Sequence, residues 1–255
     1  KTVMYISLEP CLKDHDCCAK VIVQKGINQV FVNSLDPNPL IFSKGVEYLR
    51  KKNIKVNISL KNLNNFKEIN KYFYCYYKKK RPYITLKLAI SKNGFSKDAK
   101  NKNITSSETQ HYMHKYRLLH DAIAVGYNTY KDDKPKLNCR LNGINKKNIK
   151  IVFSNKIKNF KKFSLIKLNL KENSKLIINQ LNNLKIKSIL IEGGMSTFNY
   201  FYKNNLYDEI ILCQSNKIIK SQKKRYQLNQ NILKKNLKIY SSLLYGEDTI
   251  MNYKR

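Results

Sequence analysis

The chain has no tryptophan, and its 255 residues carry only 17 acidic side chains against 50 basic ones. Cysteine is sparse at six residues, and only two stand at a metal-like spacing, so no disulfide framework is indicated. No apolar run approaches the roughly eighteen residues needed to cross a bilayer, and no signal-peptide pattern is present. A cytoplasmic protein without membrane attachment is expected. Arginine is scarcest among the cations: six residues against 44 lysines. A net charge of +33 attracts phosphate chains. Nucleic-acid readers, however, lean on arginine for forked contacts. Here the lysines are scattered along the whole chain among many Asn, Ile and Tyr, the residues that adenine- and thymine-rich codons specify. Compositional bias accounts for the charge. No specific nucleic-acid partner is expected, although a basic nucleic-acid-binding protein stays as an alternative.

Two domains are the natural division of 255 residues. Val3 to Leu8 reads as a strand, Cys18 to Lys25 as a helix, Gln29 to Val32 as a strand, and Gly45 to Lys52 as a second helix. Ile54 to Ile58 alternates as a strand, and Asn62 to Tyr74 has helical periodicity. The charged stretch Tyr76 to Arg81, ahead of Pro82, reads as a linker between domains 1–80 and 81–255. Beyond it, strands are expected at Tyr83–Ala89, Ala122–Val125, Ile149–Phe153, Ser188–Ile191 and Glu209–Leu212. Helices at Ser107–His120, Ser174–Leu184 and Ser196–Asn204 separate them. That alternation predicts an α/β domain with a largely parallel sheet.

The first chemistry-bearing motif is Pro10-Cys11, followed by the pair Cys17-Cys18. A Pro-Cys with a second cysteine one short loop later is the thiolate half of a zinc deaminase site, and the reading assigns Cys11 and Cys17 as ligands. The other half is a His-x-Glu, whose His completes the metal set and whose Glu moves protons. No His precedes Cys11 and no His-x-Glu occurs anywhere, so the zinc site is incomplete and the sequence is expected to enter its first domain partway. Ordinary buried thiols are the alternative for both cysteines, and His15 reads as a loop residue.

Further motifs follow in order: Asp36-Pro37-Asn38-Pro39, Lys44-Gly45, and Arg81-Pro82-Tyr83-Ile84-Thr85-Leu86-Lys87-Leu88-Ala89-Ile90-Ser91. Then come Asp121-Ala122-Ile123-Ala124-Val125-Gly126, Thr129, Asp133, Pro135, Leu137, Arg140, and Ile191-Glu192-Gly193-Gly194. Each piece is commonplace, but the ordered set resembles the bifunctional riboflavin-biosynthesis deaminase–reductase family over nearly the whole chain. The resemblance implies a partial cytidine-deaminase-like domain followed by a dihydrofolate-reductase-like α/β domain. It also implies a homo-oligomer and a phosphorylated ribosylaminopyrimidine substrate, whose ribosyl group is reduced to ribityl with NADPH.

By the same resemblance Thr129, Asp133, Gly193, Gly194, Ser196 and Thr197 border the NADPH site, and Arg117, Leu137, Arg140 and Glu192 hold the substrate. Glycines after a strand suit close approach to a diphosphate. Ser196 and Thr197 could equally cap the next helix. Arg117 and Arg140 would converge on the substrate phosphate with planar forks. Lys87, costly to bury in an apolar strand without a partner, joins Glu192 as a candidate for the proton chemistry. Three departures from the family stand out. The loop between the thiolates is only Leu12 to Asp16, Asn93 stands where the family has Asp, and Asn103 where it has Trp. A stand-alone reductase with a decayed deaminase half is the alternative within the family.

Overall fold

A computed structural model describes residues 2–12, 17–59, 63–98, 103–155, 163–166, 174–220, 223–229, 233 and 237–255. The chain divides into two compact units, Lys1–Arg81 and Pro82–Arg255.

In the first unit β1 (Val3–Ile6), β2 (Gln29–Val32) and β3 (Lys55–Ile58) form a parallel sheet in that order. Between them run α1 (Cys18–Gln24) and α2 (Lys44–Lys51), followed by α3 (Leu63–Ile69) and α4 (Lys71–Lys79). Helical spacing puts Ala19 and Ile22 of α1, and Val46 and Leu49 of α2, against Val30, Val32 and Val56 in one core. Glu47 in the first turn of α2 and Arg50 and Lys51 in its last complement the helix dipole.

One buried carboxylate organises this unit. Glu9 Oε2 accepts from the backbone N–H groups of Asp36 (3.1 Å) and Ser43 (3.0 Å), and Oε1 from those of Gly45 (3.0 Å) and Val46 (3.3 Å). Gly45 is required there, because a Cβ would stand 1.9 Å from the Pro10 carbonyl oxygen. Glu9→Gln should destabilise this unit by about 2–4 kcal/mol, since an amide NH2 would face N–H donors and leave them unpaired. Thermal unfolding measures it; a midpoint equal to wild type would mean the network is dispensable.

The second unit contains β4 (Tyr83–Ile90), α5 (Ser107–Leu119), β5 (Ala122–Gly126), α6 (Tyr127–Asp133), β6 (Ile149–Phe153) and β7 (Ser164–Ile166). It continues through α7 (Ser174–Asn183), β8 (Ser188–Ile191), α8 (Met195–Lys203), β9 (Glu209–Gln214), β10 (Lys238–Tyr245) and β11 (Asp248–Lys254). The sheet order is β10-β11-β9-β4-β8-β5-β6-β7, with β9 through β7 parallel and the β10–β11 hairpin antiparallel. The chain leaves β4 for β5, moves outward to β7, then returns to insert β8 between β4 and β5. The crevice beyond the carboxyl ends of β4, β8 and β5 is therefore the place where an open α/β sheet accepts a ligand.

Period-two alternation sorts the faces. Ile84, Leu86, Leu88 and Ile90 of β4 join Ile177 and Leu181 of α7 and Phe198 and Phe201 of α8 in the main core. Lys87 points the other way, toward the face where Met113 of α5 packs on Ile211, Cys213 and Ile250.

The observed elements differ from the sequence reading in identifiable places. Tyr76 to Lys79, read as linker, is the end of α4, whose last-turn Lys78 and Lys79 suit the negative end of the helix dipole. The single helix expected over Asn62–Tyr74 breaks at Asn70, whose side-chain Nδ2 donates to the Phe66 carbonyl at 3.1 Å. The terminal hairpin escaped notice because β10 is exposed nearly throughout and so has no apolar alternation.

Candidate functional site

Lys87 and Glu192 sit side by side. Leu86 of β4 is registered opposite Ile191, the last residue of β8, so Lys87, midway along β4, lies level with Glu192, the first residue past β8. Glu192 then receives a forked grip from α5: Arg117 Nε donates to Oε1 at 2.8 Å and Nη2 to Oε2 at 2.6 Å. The third nitrogen, Nη1, donates to the Asn138 carbonyl at 3.0 Å. The two side chains are 15% and 13% exposed. Burial opposes the charge on Glu192, but the Arg117 guanidinium, with help from Lys87, holds its carboxyl below the usual carboxylate range. Glu192 is thus a fixed anion with a free lone pair on each oxygen, and Arg117 is its orienting partner. Three of the five Arg117 N–H donors are engaged in these bonds, two of them on Glu192, so the guanidinium serves first as the carboxylate's fork.

The segment after α6 is strapped to the same helix. Besides the Arg117–Asn138 bond, Cys139 Sγ donates to the His114 carbonyl at 3.6 Å, and Arg140 N–H donates to His114 Nδ1 at 3.0 Å. Leu137 sits at φ 45°, a left-handed bend that turns its side chain into a core with Ile123, Val125 and Val152. The side chain is fully buried, so the substrate contact expected of Leu137 falls to its backbone. Arg140 by contrast is exposed, with Nη2 3.3 Å from His114 Nε2.

His114, which the sequence reading passed over, is at the centre of this group. Burial, then the neighbouring Arg117 and Arg140 guanidiniums, push its imidazole down from 6.5 to about 4. The unfolded chain binds this proton more readily, so the stability that neutral His114 contributes is complete above pH 6.5 and is lost as the pH falls through 4. Unfolding free energy followed from pH 7 to 4 should fall less steeply in His114→Gln; parallel curves would contradict the assignment.

The third group lies where β5 and β8 end. Thr129 of α6 accepts from the Gly194 N–H at 3.1 Å. A Cβ on Gly194 would lie 3.0 Å from Thr129 Oγ1, and one on Gly193 would lie 2.7 Å from Thr197 Cβ. These glycines are therefore demanded first by the interlocking of two strand-to-helix turns. Neither Ser196 nor Thr197 caps α8: the N-cap is Gly194, with no side-chain cap bond. Thr197 is buried and Ser196 exposed, so the first turn of a nine-residue helix offers backbone N–H groups and its positive dipole end to an anion. Asp133 ends α6 and is exposed.

In the first unit the thiol beside Cys11 belongs to Cys18, whose ionisation is opposed mainly by its bond to Cys11. Cys17, the second thiolate expected from the sequence, is buried at 4% exposure. Cys18 opens α1, and the Ala19 N–H donates to the Cys11 carbonyl at 3.1 Å, drawing Cys11 to the helix start. Among the described residues, no group of three His, Cys, Asp or Glu could hold a metal ion. His15 and most of the Leu12–Asp16 loop lie outside the described residues.

Asn93 has a use of its own. Its Nδ2 donates to the Ile219 carbonyl at 2.9 Å while Oδ1 accepts from the Ile219 N–H at 3.1 Å and from Ser91 Oγ at 2.7 Å. Asn93→Asp removes the Nδ2 donor to the Ile219 carbonyl and should cost about 1–2 kcal/mol in denaturant unfolding. An unchanged midpoint would argue that Ile219 is held by other means. Asn103 is exposed ahead of α5, and residues 99–102 lie outside those described.

The family described as RibD C-terminal domain matches residues 82–251. The chain is 30% identical over 286 residues to the riboflavin biosynthesis protein RibD of Aquifex aeolicus, covering 99% of this chain and 80% of that protein. Over 80 residues it is 48% identical to the diaminohydroxyphosphoribosylamino-pyrimidine deaminase of Buchnera aphidicola subsp. Schizaphis graminum, covering 30% of this chain and 51% of that protein. Among solved structures, the Thermotoga maritima diaminohydroxyphosphoribosylaminopyrimidine deaminase/5-amino-6-(5-phosphoribosylamino)uracil reductase superposes with a TM-score of 0.82 at 24% identity, covering 98% of this chain and 78% of that one. Acinetobacter baumannii RibD (form 2) gives 0.81 at 21%, covering 98% and 79%. At these identities the structural likeness establishes the α/β fold alone.

Proposed function

The chain belongs to the RibD family of riboflavin-biosynthesis proteins, and from that premise we propose that its second unit is a dihydrofolate-reductase-like, NADPH-dependent reductase of 5-amino-6-(5-phosphoribosylamino)uracil. The observation that carries the reading is the Lys87–Glu192–Arg117 constellation where β8 ends beside the middle of β4, facing the crevice of the parallel sheet.

The uncapped start of α8, with Gly193, Gly194, Ser196, Thr129 and Asp133 around it, suits the cofactor phosphates. Bound NADPH supplies the hydride that reduces the ribosyl C1′. Reduction there breaks the bond from C1′ to the ring oxygen, which takes a proton. Lys87, an ammonium beside a fixed carboxylate, is the proposed donor. Glu192, held ionised by Arg117, accepts from sugar hydroxyls rather than giving a proton. Arg140 is the proposed fork for the substrate phosphate. Positioning supplies most of the acceleration in such a site.

The first unit is read as the thiolate half of a zinc deaminase domain, with Cys11 and Cys17 as its thiolates. Two thiolates alone do not fit a tetrahedral zinc site with an open position, so no catalytic step is derived for this unit. A cytoplasmic homo-oligomer completes the reading.

The test is oxidation of NADPH by the purified chain, followed by loss of reduced-nicotinamide absorbance. Turnover should require the phosphorylated aminouracil substrate. A folded chain that binds NADPH but shows no substrate-dependent oxidation would sink the proposal.

A further inference from the structure

His114 poses a hydrogen-bonding puzzle with a chemical answer. Its Nδ1 accepts the Arg140 backbone N–H at 3.0 Å, so that nitrogen carries no hydrogen. A neutral imidazole must then carry its hydrogen on Nε2. The atom facing Nε2, at 3.3 Å, is Arg140 Nη2, which also has only hydrogens to give. Two donors cannot satisfy each other. Adding a proton does not help, because an Nδ1–H would confront the backbone N–H. Burial and the neighbouring Arg117, Arg140 and His111 disfavour its charge, against the pull of Glu192. His114 is 5% exposed, so its Nε2–H has little access to water as an alternative acceptor.

We propose that His114 Nε2–H and the Arg140 guanidinium form one built donor pair that grips the phosphate oxygens of the substrate. The inference rests on the reading of Arg140 as the phosphate fork and adds a second, neutral donor to it. The backbone of Arg140 sets the His114 tautomer, and His114 in turn fixes where Arg140 leaves the chain, so each half pre-organises the other. A neutral donor keeps its hydrogen at every pH at which the protein is folded and working, which a protonated histidine would not.

Two substitutions separate donor from scaffold. His114→Asn keeps an acceptor near the Nδ1 position and loses the distal donor; His114→Gln keeps a distal N–H and loses the acceptor. With the full chain, His114→Asn should raise KM for the phosphorylated aminouracil about tenfold or more, with KM for NADPH within about twofold of wild type. His114→Gln should recover part of that loss. If His114→Asn binds substrate normally while Arg140→Ala does not, the histidine is only a scaffold and the inference fails, while the phosphate reading of Arg140 survives. If Arg140→Ala also leaves KM unchanged, that reading fails and takes the inference with it. A defect confined to NADPH would place the pair on a cofactor phosphate and overturn the assignment to substrate. A titration of the unaltered chain with inorganic phosphate, read by ¹⁵N NMR of labelled histidines, guards against a folding artefact. A saturable shift of the His114 Nε2–H is expected, and none at phosphate concentrations that inhibit turnover would defeat the proposal.

Discussion

Arg117→Ala should cost about 3–5 kcal/mol of stability, more than any other truncation in the site, because it strands a buried charge. In the native chain two parallel N–H···O bonds of 2.8 and 2.6 Å tie Arg117 to Glu192, and a third bond of 3.0 Å ties it to the Asn138 carbonyl. With the guanidinium gone, Glu192 keeps only the more distant charge of Lys87, and the 137–140 strap loses one of its fastenings to α5. Glu192 is stabilised as an anion, so its contribution is present above its unfolded value near 4.5 and disappears as the pH drops below it. The stability lost in Arg117→Ala should accordingly shrink on acidification. Paired replacement, Arg117→Met with Glu192→Leu, separates structure from chemistry. An apolar pair of similar volume should restore much of the stability, since buried ion pairs are replaceable by packing. Reductase turnover should stay lost, because no carboxylate then orients the sugar. Denaturant unfolding and turnover, measured together, decide the matter. A cost below about 1 kcal/mol for Arg117→Ala would mean that the pair behaves like a surface salt bridge.

What was legible in the sequence followed from periodicity. Ile84, Leu86, Leu88 and Ile90 alternate around Lys87, and that alternation is what turns Lys87 away from the main core. The strand end ahead of Glu192 and its two glycines was legible from the apolar run Ile189 to Ile191. What escaped was whatever depends on which side chain a turn rotates inward. Cys17 and Cys18 are equivalent as letters. Only the N-cap geometry, with Cys17 at φ −71° and ψ 151° ahead of α1, decides that Cys17 turns into the core and Cys18 toward Cys11. The role of Arg117 escaped because a sparing use of arginine says that a fork is needed without saying on what. His114 did leave a trace: it lies three residues before Arg117 on one helix, the spacing that puts both on one face. The ring's tautomer is set by the backbone of Arg140, brought there by a left-handed bend at Leu137 that no residue preference announces.

Arg140→Ala should raise KM for the phosphorylated aminouracil by about ten- to a hundred-fold, the value of losing a charge-assisted bond of roughly 1.5–3 kcal/mol. The phosphate is remote from the reacting C1′, so its grip is the same in ground and transition states. A loss of such uniform binding appears in KM, with a smaller fall in kcat from poorer positioning. The structure sharpens the expectation in two ways. Arg117 is already bound through Nε and Nη2 to Glu192, so it offers no unengaged fork to replace Arg140. Among the described residues the exposed Arg140 guanidinium has no buried partner charge, so its removal should leave stability nearly intact, in contrast to Arg117→Ala. Arg140→Lys should recover only part of the affinity: lysine keeps the charge but not the planar fork that lies against His114. A substrate analogue lacking the phosphate completes the cycle. It should bind wild type and Arg140→Ala equally weakly, because neither complex then contains the contact. If the dephosphorylated analogue still distinguishes the two proteins, Arg140 acts on something other than the phosphate.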